Sequence, residues 1–370
     1  MIKKIIIIYA LFLLTVALFV RCDGSHTSSA NYMALEEIIY VDSFPQTFSL
    51  NNMIEIDLEN IDIIGVKDFC IFDSLLIFST TDKEGFWSFV SLPNYRFLGK
   101  FLTQGQGPYE FLFNPYVGSG AKFFEEKESI FAAIYDFYRG KLYKIDIGES
   151  IKNNRLNIYT INDSLPSLLF NFVMVDSNTF LCKEISNGET QQIRYMLVNG
   201  ERITPPHLEK LNFAKIRKGE NVNILSTITN YNYNKKLFVE MPVGLNYLNM
   251  YSMDSSFGKT ICIGKQLDNI GKIQNKERWE RIYTFADLRL FPKFWGVVYL
   301  NEDYKTNQIE RKRLPNILLF DWNGRPLAKL NLNTFITSFD IDFTNGYLYT
   351  LDYQTDIFCK YDIREILGKL

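Results

Sequence analysis

The sequence predicts an all-β fold, and three observations support this class. Aromatic residues are unusually frequent, with 31 Phe and 22 Tyr, and such side chains suit pleated, half-buried sheets. Short apolar runs alternate with turns that contain Gly, Pro, Asn or Asp, while helical periodicity is scarce. Because 47% of the 370 residues are apolar and 22% are charged, the chain can bury a sizeable core.

The short runs group into clusters. The first cluster holds four strand-like segments in succession, Phe69–Phe72, Leu75–Ser79, Phe86–Val90 and Phe97–Phe101. Similar clusters begin near Phe123, Phe172, Thr227, Phe294 and Phe339. Their spacing of about 40 to 55 residues is typical of repeated β units arranged around an axis.

Radial closure explains these clusters best, because an open array of so many strands would expose unpaired sheet edges. We therefore predict a six-bladed β-propeller over residues 51–367. The sixth cluster is one strand short, and the alternating segment Met53–Leu58 precedes the first cluster without a partner. We expect this early strand to pair into the last blade and close the ring. A pair of β-sandwiches or a solenoid is the competing geometry.

One or two short inserted helices are also predicted. The segment Lys276–Phe291 has apolar residues at near-helical spacing and is placed between blades four and five. Leu208–Lys218 is the candidate for a second helix.

The N-terminus is typical of a targeting signal. Lys3 and Lys4 precede an apolar run, Ile5–Val20, which is short for a membrane span. Cys22 directly after this region resembles a bacterial lipoprotein signal, in which that cysteine is lipidated. Arg21 departs from the pattern, which has a small residue there, so an uncleaved anchor is the alternative. We assign residues 1–21 to a lipoprotein-like signal peptide.

Residues 22–50 are interpreted as a flexible tether and lead-in. Without residues 1–21 the chain has 37 basic and 42 acidic residues, a charge of about −5. This mild acidity argues against a nucleic-acid partner. Cys70, Cys182, Cys262 and Cys359 are far apart in apolar runs and form no Cys-x-x-Cys motif, so zinc and thioredoxin chemistry have no support. Buried free thiols are favoured; disulfide pairing in an oxidising compartment is the alternative.

A glycine-containing segment follows the first cluster and reads Gly105-Gln106-Gly107-Pro108-Tyr109-Glu110-Phe111. It lacks the Lys-Ser/Thr of a phosphate-binding loop, so a structural turn between blades is favoured. Glu110 is expected to bond backbone amides of this turn; the alternative is that it faces the central channel.

This segment, the lipoprotein-like start and the six aromatic clusters resemble the TolB-like six-bladed propeller lipoproteins of Bacteroidetes. The residues that carry the motif are Gly105, Gln106, Gly107, Pro108, Glu110 and Phe111. The resemblance implies the fold and a location in the bacterial cell envelope, in the periplasm or at the outer membrane. It implies little chemistry.

Candidate functional residues are few. The sequence has only two histidines, His26 and His207, so we predict no catalytic triad, no metal site and no cofactor. Asp340 and Asp342 share one face of an alternating strand and could line a channel or bind Ca²⁺; a solvated strand face is the alternative. The charged loop Glu302–Arg313 is either a solvated hairpin tip or a contact surface for a partner.

The function predicted from these features is a non-enzymatic, envelope-anchored binding module. Its expected partners are the membrane, through the lipid anchor, and another envelope protein or a glycan or peptide ligand. The alternative is a carboxylate-based glycoside hydrolase or lyase that works at the central face.

Overall fold

The computed structural model describes residues 30–370 and is a six-bladed β-propeller. Each blade is an antiparallel sheet of four strands, and blades 4 and 5 each gain a fifth, parallel strand. The first strands contact one another around the axis between blades 3 and 4, 4 and 5, 5 and 6, and 6 and 1. The fold class predicted from the sequence is confirmed.

The strands follow one another blade by blade. Blade 1 contains Val66–Phe72, Leu75–Thr80, Trp87–Ser91 and Arg96–Phe101; blade 2 contains Ala121–Glu126, Ser129–Asp136, Lys141–Asp146 and Ile158–Asn162; blade 3 contains Asn171–Met174, Thr179–Ile185, Gln192–Val198 and Glu201–Ile203. Blade 4 contains Thr227–Asn232, Leu237–Pro242, Tyr247–Ser252 and Gly258–Ile263; blade 5 contains Ile282–Leu290, Phe294–Asp303, Asn316–Asp321 and Pro326–Leu332; blade 6 contains Ser338–Asp342, Tyr347–Asp352 and Ile357–Asp362.

The N-terminal part of the described chain completes three blades in order. Glu37–Val41 pairs with the last strand of blade 4, and Gln46–Leu50 pairs with the last strand of blade 5. Met53–Glu55 then pairs antiparallel with Ile357–Asp362 and supplies the missing strand of blade 6. The predicted ring closure is therefore confirmed. The lead-in assigned to residues 22–50 is partly structured, because it contains the two parallel strands.

The core lies between blades. Six clusters of buried apolar side chains fill the six interfaces between neighbouring blades. Second strands such as Leu75–Thr80 and Leu237–Pro242 are buried along their whole length, which explains why most of their residues are apolar.

Short helices lie in the connections. They are the α-helices Ile147–Asn153, Pro206–Asn212, Ile270–Ile273 and Arg364–Leu367, the 3₁₀ helices Glu59–Ile61, Val222–Leu225 and Arg278–Glu280, and the π-helical turn Thr306–Glu310. A short helix predicted within Leu208–Lys218 is present, displaced toward the N-terminus. No helix of residues 30–370 is long and apolar enough to cross a membrane.

The helix predicted over Lys276–Phe291 is wrong. Apart from one 3₁₀ turn, this segment forms Ile282–Leu290, the first strand of blade 5. The strand carries two irregularities in its pairing, between Tyr283 and Phe285 and between Phe285 and Leu288. Such bulges shift the inward-facing positions, so buried residues recur in pairs, a pattern that resembles helical spacing.

The two faces of the propeller differ in what they carry. On one face the first strand of each blade turns into the second, and the third strand turns into the fourth; we call it the mouth face. The opposite face carries the connections from one blade to the next and the turns between second and third strands; we call it the linker face. The linker 102–120 illustrates this arrangement, since Asn114 in it donates to the backbone oxygen of Thr80, at the end of a second strand.

Candidate functional site

A cavity of about 550 Å³ lies on the propeller axis at the mouth face. All six blades contribute to its wall, since Phe72, Phe123, Phe172, Tyr231, Phe291 and Asp340 come from blades 1 to 6 in turn. This volume is within the usual range for small-molecule sites, about 300 to 1,000 Å³.

Aromatic rings form much of the cavity wall. Tyr135 and Phe172 stack with ring centroids 4.5 Å apart, and Tyr231 contacts Tyr233 edge-to-face at 5.1 Å. Tyr233 and Phe343 are exposed at the mouth, by 42% and 44%. The wall therefore presents ring faces and edges to any molecule that enters.

Two cationic side chains line the cavity, Lys122 and Arg289. Arg289 forms an ion pair with Asp68, whereas Lys122 forms no ion pair with a carboxylate of residues 30–370. Its Nζ lies 3.2 Å from the centroid of the Tyr233 ring and donates a long bond, 3.5 Å, to the Met174 carbonyl. Burial lowers its pKa to about 7, although Asp176 acts in the opposite direction. An anionic group bound here would restore the charged form of this lysine.

Asp340 and Asp342 both line the cavity, but neither lies on a solvated face. Asp340 accepts bonds from the backbone N–H groups of Ile71, at 2.8 Å, and of Ile341. Asp342 accepts the backbone N–H groups of Thr344 and Asn345 in its own turn. Burial raises the pKa of Asp340 to about 6, against the opposing effect of Arg289.

A buried arginine lies beside these acids. Arg289 bonds Asp68 through a 2.9 Å contact and Asp287 through a 2.8 Å contact. Burial opposes the charge of Arg289, but the carboxylates of Asp287, Asp68 and Asp340 together raise its pKa. Burial also raises the pKa of Asp68. This cluster was not predicted, because Asp68 is 221 residues away from Arg289 in the sequence.

The three acids connect consecutive blades in the same way. Asp287 of blade 5 accepts the N–H of Phe339 in blade 6, Asp340 of blade 6 accepts that of Ile71 in blade 1, and Asp68 of blade 1 accepts that of Gly118, just before blade 2. A buried carboxylate that accepts backbone donors is a strong connection. We assign the acids mainly to holding the ring together.

The glycine motif lies on the linker face, away from the cavity, where it joins blades 1 and 2. The Glu110 carboxylate accepts the N–H of Gly107 at 2.8 Å, the first of the two arrangements expected for it. Arg139 of blade 2 donates to the carbonyl oxygens of Gln106, Gly107 and Glu110.

The rest of the motif also contacts blade 2. The Pro108 carbonyl accepts a bond from Tyr143, and the buried Phe111 packs edge-to-face on that same ring. Cys22 lies outside the described residues.

A second buried charged cluster joins blades 3 and 4. Glu240 contacts Arg194 at 2.6 Å and Lys183 at 3.0 Å, and all three side chains are buried. Tyr251 donates to the same carboxylate. The Met33 sulfur contacts Arg194 from the N-terminal segment, so this segment covers the cluster.

The four cysteines at positions 70, 182, 262 and 359 are buried and free, as expected. No group of three or more metal-ligating side chains occurs within residues 30–370.

The fold is a closed propeller of six sheets with a cavity on its axis. The family model described as TolB-like 6-blade propeller-like matches residues 68–344. The chain belongs to this family, as its resemblance predicted. No curated protein sequence matches the chain.

Solved structures with a similar fold are distant in sequence. A member of the DUF4221 family from Bacteroides vulgatus is 10% identical, with a TM-score of 0.47, and the match covers 85% of this chain and 94% of that one. A Bacteroides fragilis protein named as exported is 11% identical, with a TM-score of 0.47, covering 85% and 98%.

Raptor from Chaetomium thermophilum is 9% identical, with a TM-score of 0.46; the match covers 85% of this chain and 29% of Raptor, so the chain spans less than a third of that protein. Likenesses at this level say nothing about function.

Proposed function

We propose that this protein is an envelope-anchored, non-enzymatic binding module that takes a small ligand in its axial cavity. The observation that carries the proposal is the cavity itself, open at the mouth face and walled by aromatic rings from several blades. Small-molecule sites combine aromatic walls of this kind with polar groups that orient the ligand.

The polar groups of the cavity differ from one side to the other. Lys122 lies with Met174 and Tyr233, on the side of blades 2 to 4. Asp340 and Asp342 belong to blade 6, across the axis. A ligand with an anionic group toward Lys122 and hydrogen-bond donors toward blade 6 would match both sides; short peptides and acidic glycans have this chemistry.

Thermal unfolding in the presence of acidic and neutral glycans and short peptides tests the cavity. A ligand at about 100 times its Kd should stabilise the native chain by about 2.7 kcal/mol. Tyr233→Ala and Lys122→Met should abolish the shift, whereas Tyr159→Ala, which removes an equally exposed tyrosine from an outer strand of blade 2, should keep it. A shift that persists in both cavity variants would place the ligand elsewhere.

The hydrolase or lyase alternative rests on one observation, the raised pKa of Asp340 in a cavity, which suits a general acid. Against it, both oxygens of Asp340 accept backbone bonds and Asp342 closes its own turn. Cleavage of a glycan by the native chain and its loss in Asp340→Asn would favour the enzyme over the binding module.

The envelope location is supported by the first 22 residues, a basic start, an apolar run and then Cys22. Incorporation of labelled fatty acid in cells that express the full chain tests it. Cys22→Ser should abolish the label. A native chain that carries no label and keeps its first residues would favour the uncleaved anchor.

A further inference from the structure

Exposed apolar side chains are concentrated on one face of the propeller. Among residues 30–370, 22 large hydrophobic side chains are exposed. Thirteen of them lie in loops of the linker face and three on the mouth face, and the other six lie on strands at the perimeter. Concentrations of this kind mark interaction surfaces.

Charge divides the linker face into two halves. Loops 213–226, 264–281 and 304–315, which we call the basic sector, contain 12 Lys or Arg and 5 Asp or Glu. The other linker-face loops, 56–65, 81–86, 102–120, 137–140, 163–170, 186–191, 243–246, 333–337 and 353–356, contain 2 basic and 9 acidic residues. The basic sector thus has a charge of +7 in a chain of charge −2.

The basic sector combines this charge with exposed apolar side chains. Ile309 is 68% exposed and Trp279 is 59% exposed, and Phe213, Tyr304 and Leu314 are exposed as well. Lys312 and Arg313 remain 71% and 67% exposed despite nearby acids. Aromatic and aliphatic tips among Lys and Arg are typical of protein surfaces that lie on a lipid headgroup layer.

The chain also enters the described structure at this sector. The Ala30 carbonyl accepts the N–H of Lys215 at 2.8 Å, and the Asn31 carbonyl accepts that of Ile270 at 2.9 Å. Only seven residues lie between Cys22 and Ala30, so the eight Cα-to-Cα steps span at most about 29 Å even when fully extended.

We propose that the basic sector docks on the anionic lipid surface to which the N-terminus tethers the chain. This inference rests on the envelope anchoring proposed above. The tether keeps the sector close to the headgroups, the Lys and Arg side chains attract anionic lipid, and Trp279 and Ile309 enter the interface. The mouth face then points away from the membrane, so the cavity stays open to solution.

Trp279 provides a native probe for this docking. The chain has four tryptophans, and Trp87, Trp295 and Trp322 are at most 8% exposed. Full-length chain is mixed with vesicles of phosphatidylethanolamine and phosphatidylglycerol that carry brominated acyl chains. The tryptophan fluorescence that is lost in Trp279→Phe is the contribution of Trp279. We expect the brominated vesicles to quench most of this contribution. Lys312→Glu with Arg313→Glu should weaken docking by about fivefold per charge or more.

A matched control moves the probe to the mouth face of blade 4. In the Trp279→Phe background, Met253→Trp places a tryptophan at a position that is 40% exposed, and it should escape quenching. Co-sedimentation of the chain with the vesicles shows whether the tether binds the membrane, independently of which face of the propeller lies on it. A chain that sediments with its Trp279 emission unchanged, or with both probes quenched equally, overturns the docking but not the anchoring. A chain that sediments with no vesicle overturns both.

Discussion

Glu110 and Gly105 form a contact that leaves no room for a larger residue. A Cβ atom added at Gly105 would lie 1.9 Å from the Glu110 Oε2 atom, which accepts the N–H of Gly107. The conflict is with the end of a flexible side chain, so Glu110 could move aside, but it would then lose its bond. The two residues are therefore coupled energetically.

We expect Gly105→Ala and Glu110→Ala each to lower the free energy of unfolding by about 1 to 2 kcal/mol, because each removes the same hydrogen bond to a charged acceptor. The double variant should cost little more than either single change. Urea unfolding of the native chain, the two single variants and the double variant measures this double-mutant cycle. Additive costs would show that Gly105 is required for another reason.

Asp340 should make stability depend on pH. Its pKa is raised by burial from near 4 to about 6, so the folded state binds the extra proton between these values and loses stability as the pH rises through them. Relative to Asp340→Asn, which cannot titrate, the native chain should lose about 2 to 3 kcal/mol between pH 4 and pH 7. Urea unfolding across this range measures the difference, and parallel profiles would contradict it.

Contacts between residues close in sequence could be predicted from the sequence, whereas contacts between distant residues could not. Glu110 could be connected with its turn because donor and acceptor are three residues apart. Arg289 could not be connected with Asp68, because only the closed ring brings blades 5 and 1 together at the axis. Asp340 lines the axial cavity, but nothing in the sequence indicated that its carboxylate bonds Ile71 in blade 1.

At the scale of elements, strands with regular alternation were predicted and an irregular one was missed. Met53–Leu58 alternates cleanly and was placed in the last blade, where Met53–Glu55 pairs. Ile282–Leu290 contains two bulges, so its inward positions no longer repeat every second residue. Edge strands such as Gln46–Leu50 were missed because exposure on one side leaves them few apolar residues.

The closing strand can be tested through its backbone alone. Ile54 pairs with Lys360, and its side chain is 52% exposed. Ile54→Pro removes a ladder donor and should lower the free energy of unfolding by about 2 to 3 kcal/mol. Ile54→Thr keeps the N–H and should change it by less than about 0.5 kcal/mol. If chemical denaturation showed the same loss of stability in Ile54→Pro and Ile54→Thr, the strand would be held by the Ile54 side chain and not by its backbone hydrogen bonds.

For the whole molecule, the number of blades could be predicted from the spacing of the strand clusters along the sequence. The ring closure could be predicted because the last cluster was one strand short. The division into a mouth face with a cavity and a linker face with a basic sector could not be predicted, because loops 213–226, 264–281 and 304–315 share a face only after the blades are arranged around the axis. The charged loop at Glu302–Arg313 was recognised, but its neighbours in space were not.

The three N-terminal strands also determine when the fold can be completed during synthesis. Val41 pairs with Ile263, Leu50 with Leu332 and Glu55 with Cys359. The segments that leave the ribosome first must therefore wait for partners made more than 200 residues later, about ten seconds or more at usual elongation rates. Until then they are unpaired, β-prone segments, so the earliest part of the described chain depends most on protection from aggregation, and the ring can close only after the last blade has been made.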